Sequence, residues 1–235
     1  MTDRIALAAH NNALWCDAVC RAHRLTPAID DLAWTSARRT PPYYPDAVTL
    51  SPGVGEYDVL ARIDDSDGAS VKDSWSRLDL SMEDFARLVD GQWLWRDPAA
   101  PGLETTTSGD GRRWRRLDTA EEHAAWVGGW ARDPEDVLVL PPTLLGEPGV
   151  HFFAAQDGDD PFAAGCIVNV TGEVAGVGNL WAADGDDARA WLGAVAASAP
   201  IAGKRPLVGW EAGDGLAAAT ATGFEEIGPL TVWIR

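Results

Sequence analysis

Lysine is almost missing from this chain. Of 19 basic residues only Lys72 and Lys204 are lysines, against 36 acidic residues, so the net charge is -17 and the pI near 4.4. A surface this acidic repels a phosphate backbone, which argues against nucleic acid as a partner. Cysteine is scarce too. Cys16, Cys20 and Cys166 are an odd number with no secretion signal, which argues against a disulfide framework. Cys16 and Cys20 share a helical face near His23, but no second Cys or His pair completes a zinc set, so they read as core. Long apolar runs are also lacking: none approaches the roughly 18 residues of a membrane span, and no leader pattern opens the chain. A protein of the cytoplasm is expected, with no membrane partner. Gly-x-Ser-x-Gly, P-loop and zincin motifs are absent.

What is present is an ordinary globular composition, 46% hydrophobic and 23% charged over 235 residues, enough for one large core or two small ones. Asn11 to His23 places Leu14, Trp15, Ala18, Val19 and Ala22 on one stripe and predicts an amphipathic helix capped by Asn11 or Asn12. Pro41, Pro42 and Pro45 make the stretch around Tyr43 and Tyr44 an extended aromatic loop. Ala47 to Leu50 reads as a strand, Tyr57 to Ile63 as a short helix, Met82 to Val89 as a helix behind a Ser81/Asp84 capping box, and Gln92 to Trp95 as a short strand. Asp97 to Arg113 has the composition of a linker. It divides the chain into an N-terminal α/β region, 1–105, and a second unit, 112–235.

From Trp114 the predicted order is strand, helix, strand, strand, strand, helix, strand, helix, strand. Thr119 and Glu122 form a capping box, Thr171-Gly172 turns one strand into the next, and Asp186 and Asp187 start a helix. The ending is a strand over Pro206 to Glu211, a helix over Asp214 to Thr222, a stop at Gly223-Phe224 and a strand over Pro229 to Ile234.

That order, with the hairpin Phe162 to Ala182, the strand Leu207 to Glu211 and the Gly223-Phe224-Glu225 helix end, resembles the GNAT superfamily of acyl-CoA-dependent N-acyltransferases over about Trp114 to Arg235. The resemblance implies an α/β (α+β) fold: a mixed, mostly antiparallel central sheet flanked by helices. Here it carries an N-terminal α/β extension, either an accessory domain or a degenerate half of the same kind. It implies acyl transfer from an acyl-CoA or acetyl-CoA donor to a small-molecule amine or similar nucleophile, with Gly178, Leu180, Trp181 and Ala182 along the donor. Two departures stand out. The family's Gln/Arg-x-x-Gly-x-Gly/Ala loop is replaced by Ala183-Asp-Gly-Asp-Asp-Ala188, and Ala219 stands where the family places a Tyr that protonates the thiolate.

Candidate site residues follow from the residues themselves. Glu211 ends a buried strand beside Trp210, where a carboxylate of raised pKa can take a proton from an amine; pairing with an Arg or capping the next helix is its alternative reading. Asn179 follows Gly176 and Gly178, which suit either a strand bulge or relief of packing beneath Trp181 or Trp210. Lys72, Asp73 and Trp75 form a polar group that orients a substrate carboxylate or amine, or is simply a solvated strand end. Tyr44, Trp210 and the other aromatics wall an apolar pocket or anchor the core. Two further functions stay open: a binding protein or CoA-independent enzyme of the same descent, and an interaction module using Tyr43, Tyr44 and Trp75.

Overall fold

The computed structural model describes residues 3–100, 111–157 and 162–235. Ten residues of the predicted linker, 101–110, lie outside them, as do residues 158–161. Among the described residues one eleven-stranded sheet runs through both halves of the chain, in the order Ala28–Ile29, Ala33–Thr35, Ala47–Thr49, Ser70–Asp73, Glu225–Ile234, Ala86–Arg96, Leu207–Glu211, Val174–Ala182, Ala164–Thr171, Val150–Gln156, Arg113–Arg116. No described helix is long and apolar enough to cross a membrane.

Helix α1 (Arg4–Ala22) begins seven residues before the predicted start, because Asp3 accepts from the backbone N–H groups of Ile5 and Ala6. Asn11 and Asn12 are therefore interior and their amides are used elsewhere. Asn11 Nδ2 donates to Asn169 O at 3.0 Å and Thr171 Oγ1 at 2.7 Å, and Asn169 Nδ2 returns a bond to Asn11 O. These exchanges pin the helix to β8 (Ala164–Thr171), the strand beside β9 (Val174–Ala182).

Short strands follow: β1 (Ala28–Ile29), β2 (Ala33–Thr35), β3 (Ala47–Thr49) and, after α2 (Glu56–Leu60), β4 (Ser70–Asp73). The helix predicted over Met82 to Val89 does not form. A single 3-10 turn, Ser81–Glu83, ends at Asp84 in the left-handed region (φ 60), and β5 (Ala86–Arg96) starts two residues later. Here tertiary pairing overrides local helix propensity. β5 lies between β10 (Leu207–Glu211) and β11 (Glu225–Ile234), antiparallel to both, and its partners run from Ala86↔Ile234 to Arg96↔Leu207. A strand from the first half thus fills the place between the last two strands of the second.

The remaining elements match their prediction closely. β6 (Arg113–Arg116) leads to α3 (Ala120–Trp130) with its Thr119/Glu122 capping box, then to β7 (Val150–Gln156), β8 and β9. α4 (Asp187–Ala202) and α5 (Gly213–Ala221) flank β10 in sequence. All pairings are antiparallel except β3 with β4 and β9 with β10. Helices α1 and α3 cover one face through a core of Trp15, Val19, Trp126, Phe152 and Trp181. Helices α4 and α5 cover the other through Trp191, Val195, Ala219 and Phe224.

Packing on the first face depends on Gly165. A Cβ there would lie 2.2 Å from Trp126 Nε1 and 2.5 Å from Trp181 Nε1, within a fully buried layer. Gly165→Ala is expected to cost about 2 kcal/mol by overpacking, seen as a lower urea midpoint at unchanged m. An unchanged midpoint would mean that the two indoles have room to move.

Candidate functional site

The parallel pair β9 and β10 stays joined for only two register positions, Leu207↔Ala175 and Val208↔Gly176. Past them β9 bulges. Ile167 pairs with Gly178 and Gly165 with Trp181, so one residue of β8, Cys166, faces two of β9, Asn179 and Leu180, and Asn179 takes a left-handed conformation (φ 50). Asn tolerates this region better than most residues. Its amide is held on both sides: Oδ1 accepts from Trp15 Nε1 at 3.1 Å, and Nδ2 donates to Tyr44 Oη at 3.3 Å. The bulge is therefore at Asn179 rather than at the two glycines. Gly176 serves close packing, since a Cβ there would stand 2.1 Å from Asn11 Oδ1. Gly178 faces open space, with no atom within 4 Å of a built Cβ.

Over this parting of the strands lies a cavity of about 760 Å³. Its walls come from α1, from the 39–45 loop, from the end of α3 and from the sheet, including Trp15, Tyr44, Lys72, Trp93, Trp130 and Trp210. The loop is fixed at its tip: Tyr43, itself at φ 71, donates from its hydroxyl to Asp136 Oδ1 at 3.0 Å and meets Trp130 edge to face.

Lys72 enters from β4. It is only 4% exposed, its Nζ donates to Asn12 Oδ1 at 3.0 Å, and it sits 4.1 Å from the centroid of the Trp210 ring and 6.0 Å from that of Trp93. Burial pushes its ammonium down to about 8. Tyr44, Asn179, Lys72 and Trp210 thus converge on the α1 face. Asp73 and Trp75 do not join them. Strand alternation turns Asp73 to the opposite face, where its carboxylate accepts from the N–H groups of Leu78 (2.7 Å) and Trp75 (3.2 Å) and closes the turn after β4.

Glu211 reaches the cavity from the other side of the sheet. As the last residue of β10 it passes over the start of α5, where a Cβ on Gly215 would be 2.6 Å from Oε2. Burial first and Asp187 second push its carboxyl up to about 7, against a backbone N–H of Ala212 that lowers it. It has no ion-pair partner among the described residues and does not cap α5, so neither structural reading of this residue applies.

Leu180 and Trp181 line the cavity beside Gly178, while Ala182 packs against a small cluster around Ala164 and Ala190. The start of α4 is occupied by the protein's own carboxylates. Asp186 accepts from Arg189 N at 3.0 Å, and Asp184 accepts from Asp186 N and from Arg112 Nη2 at 2.5 Å. Anionic oxygens of the chain itself thus take the N–H groups at this helix start.

Sequence reasoning missed Asn12, Trp15 and Trp93 as wall residues. Trp15 was visible only as part of a core stripe, and Trp93 belongs to a strand whose true length was hidden. All three cysteines are buried and free, with thiols pushed up by burial, and no group of three potential metal ligands occurs among the described residues.

No family model matches the sequence, and no curated protein matches it. Solved structures do match, over almost the whole chain. A GCN5-related N-acetyltransferase from Kribbella flavida aligns with a TM-score of 0.61 at 14% identity, covering 97% of this chain and 95% of that one. A structure from Novosphingobium aromaticivorans assigned to the GNAT family gives 0.56 at 13%, covering 97% and 98%. A tandem GNAT protein from the clavulanic acid biosynthesis pathway gives 0.53 at 15%, covering 98% and 96%. The chain has the GNAT fold, with a mixed, mostly antiparallel sheet between helices. The likeness extends through the first half as well as the second.

Proposed function

We propose that this protein is an acyltransferase that moves an acyl group from a thioester donor to the amine of a small molecule. The observation that carries the reading is the parting of β9 from β10 at the Asn179 bulge, above a walled cavity and beside a carboxylate of raised pKa. A thioester donor of the acyl-CoA type supplies an acyl carbon already activated towards an amine. The chain supplies the rest. Gly178 and the free edge of β9 leave room for the donor arm, Asn179 is a positioning residue that fixes the bulge, and Glu211 near neutrality takes the proton of an incoming ammonium. Ala219 is buried in the core and offers no acid, so the proton that Glu211 gains is the one available to the leaving thiolate.

The acidic start of α4 favours a second reading, a binding protein of the same fold that has given up the nucleotide donor. Titration calorimetry with acetyl-CoA and with S-acetylpantetheine separates the two. The acyltransferase reading expects both to bind within about tenfold of each other, because the diphosphate finds no helix-start site to reward it. Absence of heat with either would leave the binding-protein reading standing alone.

A further inference from the structure

The buried ammonium of Lys72 has no described carboxylate as an ion-pair partner. Among the described residues its one hydrogen-bond acceptor is the neutral Asn12 Oδ1, and the two indole faces of Trp93 and Trp210 give it only quadrupole attraction. A lysine ammonium has three donors, so two of its N–H groups remain for something else. Burying a cation this deeply is costly unless an anion or a full set of acceptors answers it. The other cations along the cavity are placed differently. Arg39 is tied to Asp46 and to Ser66, and Arg132 is exposed at the rim.

We propose that the acceptor is an aromatic or apolar amine that also carries a carboxylate, and that Lys72 seats this carboxylate inside the cavity against Trp93 and Trp210. This rests on the acyltransferase reading only for the word acceptor; the anion seat stands on the cavity alone. One buried cation matches one negative charge. A phosphate monoester would bring a second charge with no buried partner, so the carboxylate is the better fit. Trp210 belongs to β10, the strand that borders the parting, so a carboxylate held at its ring points the rest of the molecule towards the gap. In a chain of net charge -17, Lys72, the one deeply buried cation among the described residues of the cavity wall, makes the cavity a place where a small carboxylate is little repelled.

The test is a set of matched probes on the intact protein, read by titration calorimetry without any donor: 3-phenylpropionate, its neutral amide 3-phenylpropanamide, and phenyl phosphate. The carboxylate is expected to bind roughly tenfold to a hundredfold tighter than the amide, as suits a desolvated charge-assisted contact. Lys72→Met should bring the carboxylate down to the level of the amide and leave the amide unchanged, and Lys72→Arg should restore part of the difference. Circular dichroism checks that both variants fold. Equal binding of carboxylate and amide, tighter binding of phenyl phosphate, no binding of the carboxylate, or a Lys72→Met protein that still prefers the acid would each overturn the proposal. Should the protein bind the carboxylate yet ignore both acetyl-CoA and S-acetylpantetheine, the anion seat stands and the acyltransferase reading fails.

Discussion

Glu211→Gln is expected to lower acyl transfer by about a hundredfold to ten-thousandfold, the range a positioned general base contributes, while making the folded protein more stable. The two effects share one cause. Burial and Asp187 hold the Glu211 carboxyl near 7, well above the 4.5 of a solvated Glu. For catalysis the base form is the active one, so kcat/KM of the native protein should fall as pH drops through about 7, and the Gln variant should lack that limb. The stability sign is the reverse. Below 4.5 the carboxyl is protonated in both folded and unfolded chains and costs nothing. As pH rises from 4.5 to about 7 the unfolded chain releases the proton while the folded one retains it, so stability is lost over that window and stays lost above it. At about 1.4 kcal/mol per unit, reduced because the group is partly solvated, the penalty relieved by Gln is roughly 2 kcal/mol at neutral pH and above. Transfer assays with S-acetylpantetheine and urea unfolding across pH read both quantities. A Gln variant that keeps its activity, or one that loses activity and stability together, would remove Glu211 from the role.

The second half of the chain was legible because its signals are local. The Thr119/Glu122 box, the Asp186 cap and the Gly223-Phe224 stop each act within one turn of their own helix, and the structure uses all three as predicted. The first half misleads where a residue's local signal is spent at a distance. Asn11 and Asn12 look like caps but serve Asn169 and Lys72, and Met82 to Val89 has helical composition but is claimed by a ten-residue partner at the far end of the chain. No window of sequence contains that partner. The site shows the same division. Lys72 can be singled out because lysine is so rare here, but its sequence neighbours are no guide to its surroundings: strand alternation sends Asp73 to the opposite face, and Trp75 lies in the turn beyond β4. Its real companions, Asn12, Trp93 and Trp210, come from three other elements.

Asp46→Ala should be the most damaging single substitution for the wall of the cavity. The carboxylate is 1% exposed yet gathers donors from three directions: Thr40 N at 2.9 Å and Ser70 N at 3.0 Å, together with the Arg39 guanidinium. Thr40 then passes the connection on, its hydroxyl donating to Tyr44 O at 2.5 Å, and Tyr44 meets Asn179 at the bulge. One buried acid therefore holds the 39–45 loop to β4 and, through two further residues, to the parting of β9 and β10. Removing it strands the buried backbone N–H of Thr40 and the part-buried one of Ser70, at about 1 to 3 kcal/mol for a group left unsatisfied, and frees a half-buried Arg. A loss of roughly 3 kcal/mol or more follows, measured as the drop in the urea midpoint. Asp46→Asn should lose less, since it keeps one acceptor oxygen while turning an amide N–H₂ towards donors. Binding at the cavity should weaken along with it, because Tyr44 and the proline loop lose their anchor while Lys72, on β4 itself, keeps its place. If Asp46→Ala unfolds within about 1 kcal/mol of the native protein, the loop has other fastenings and the chain from Asp46 to Asn179 does not carry the wall.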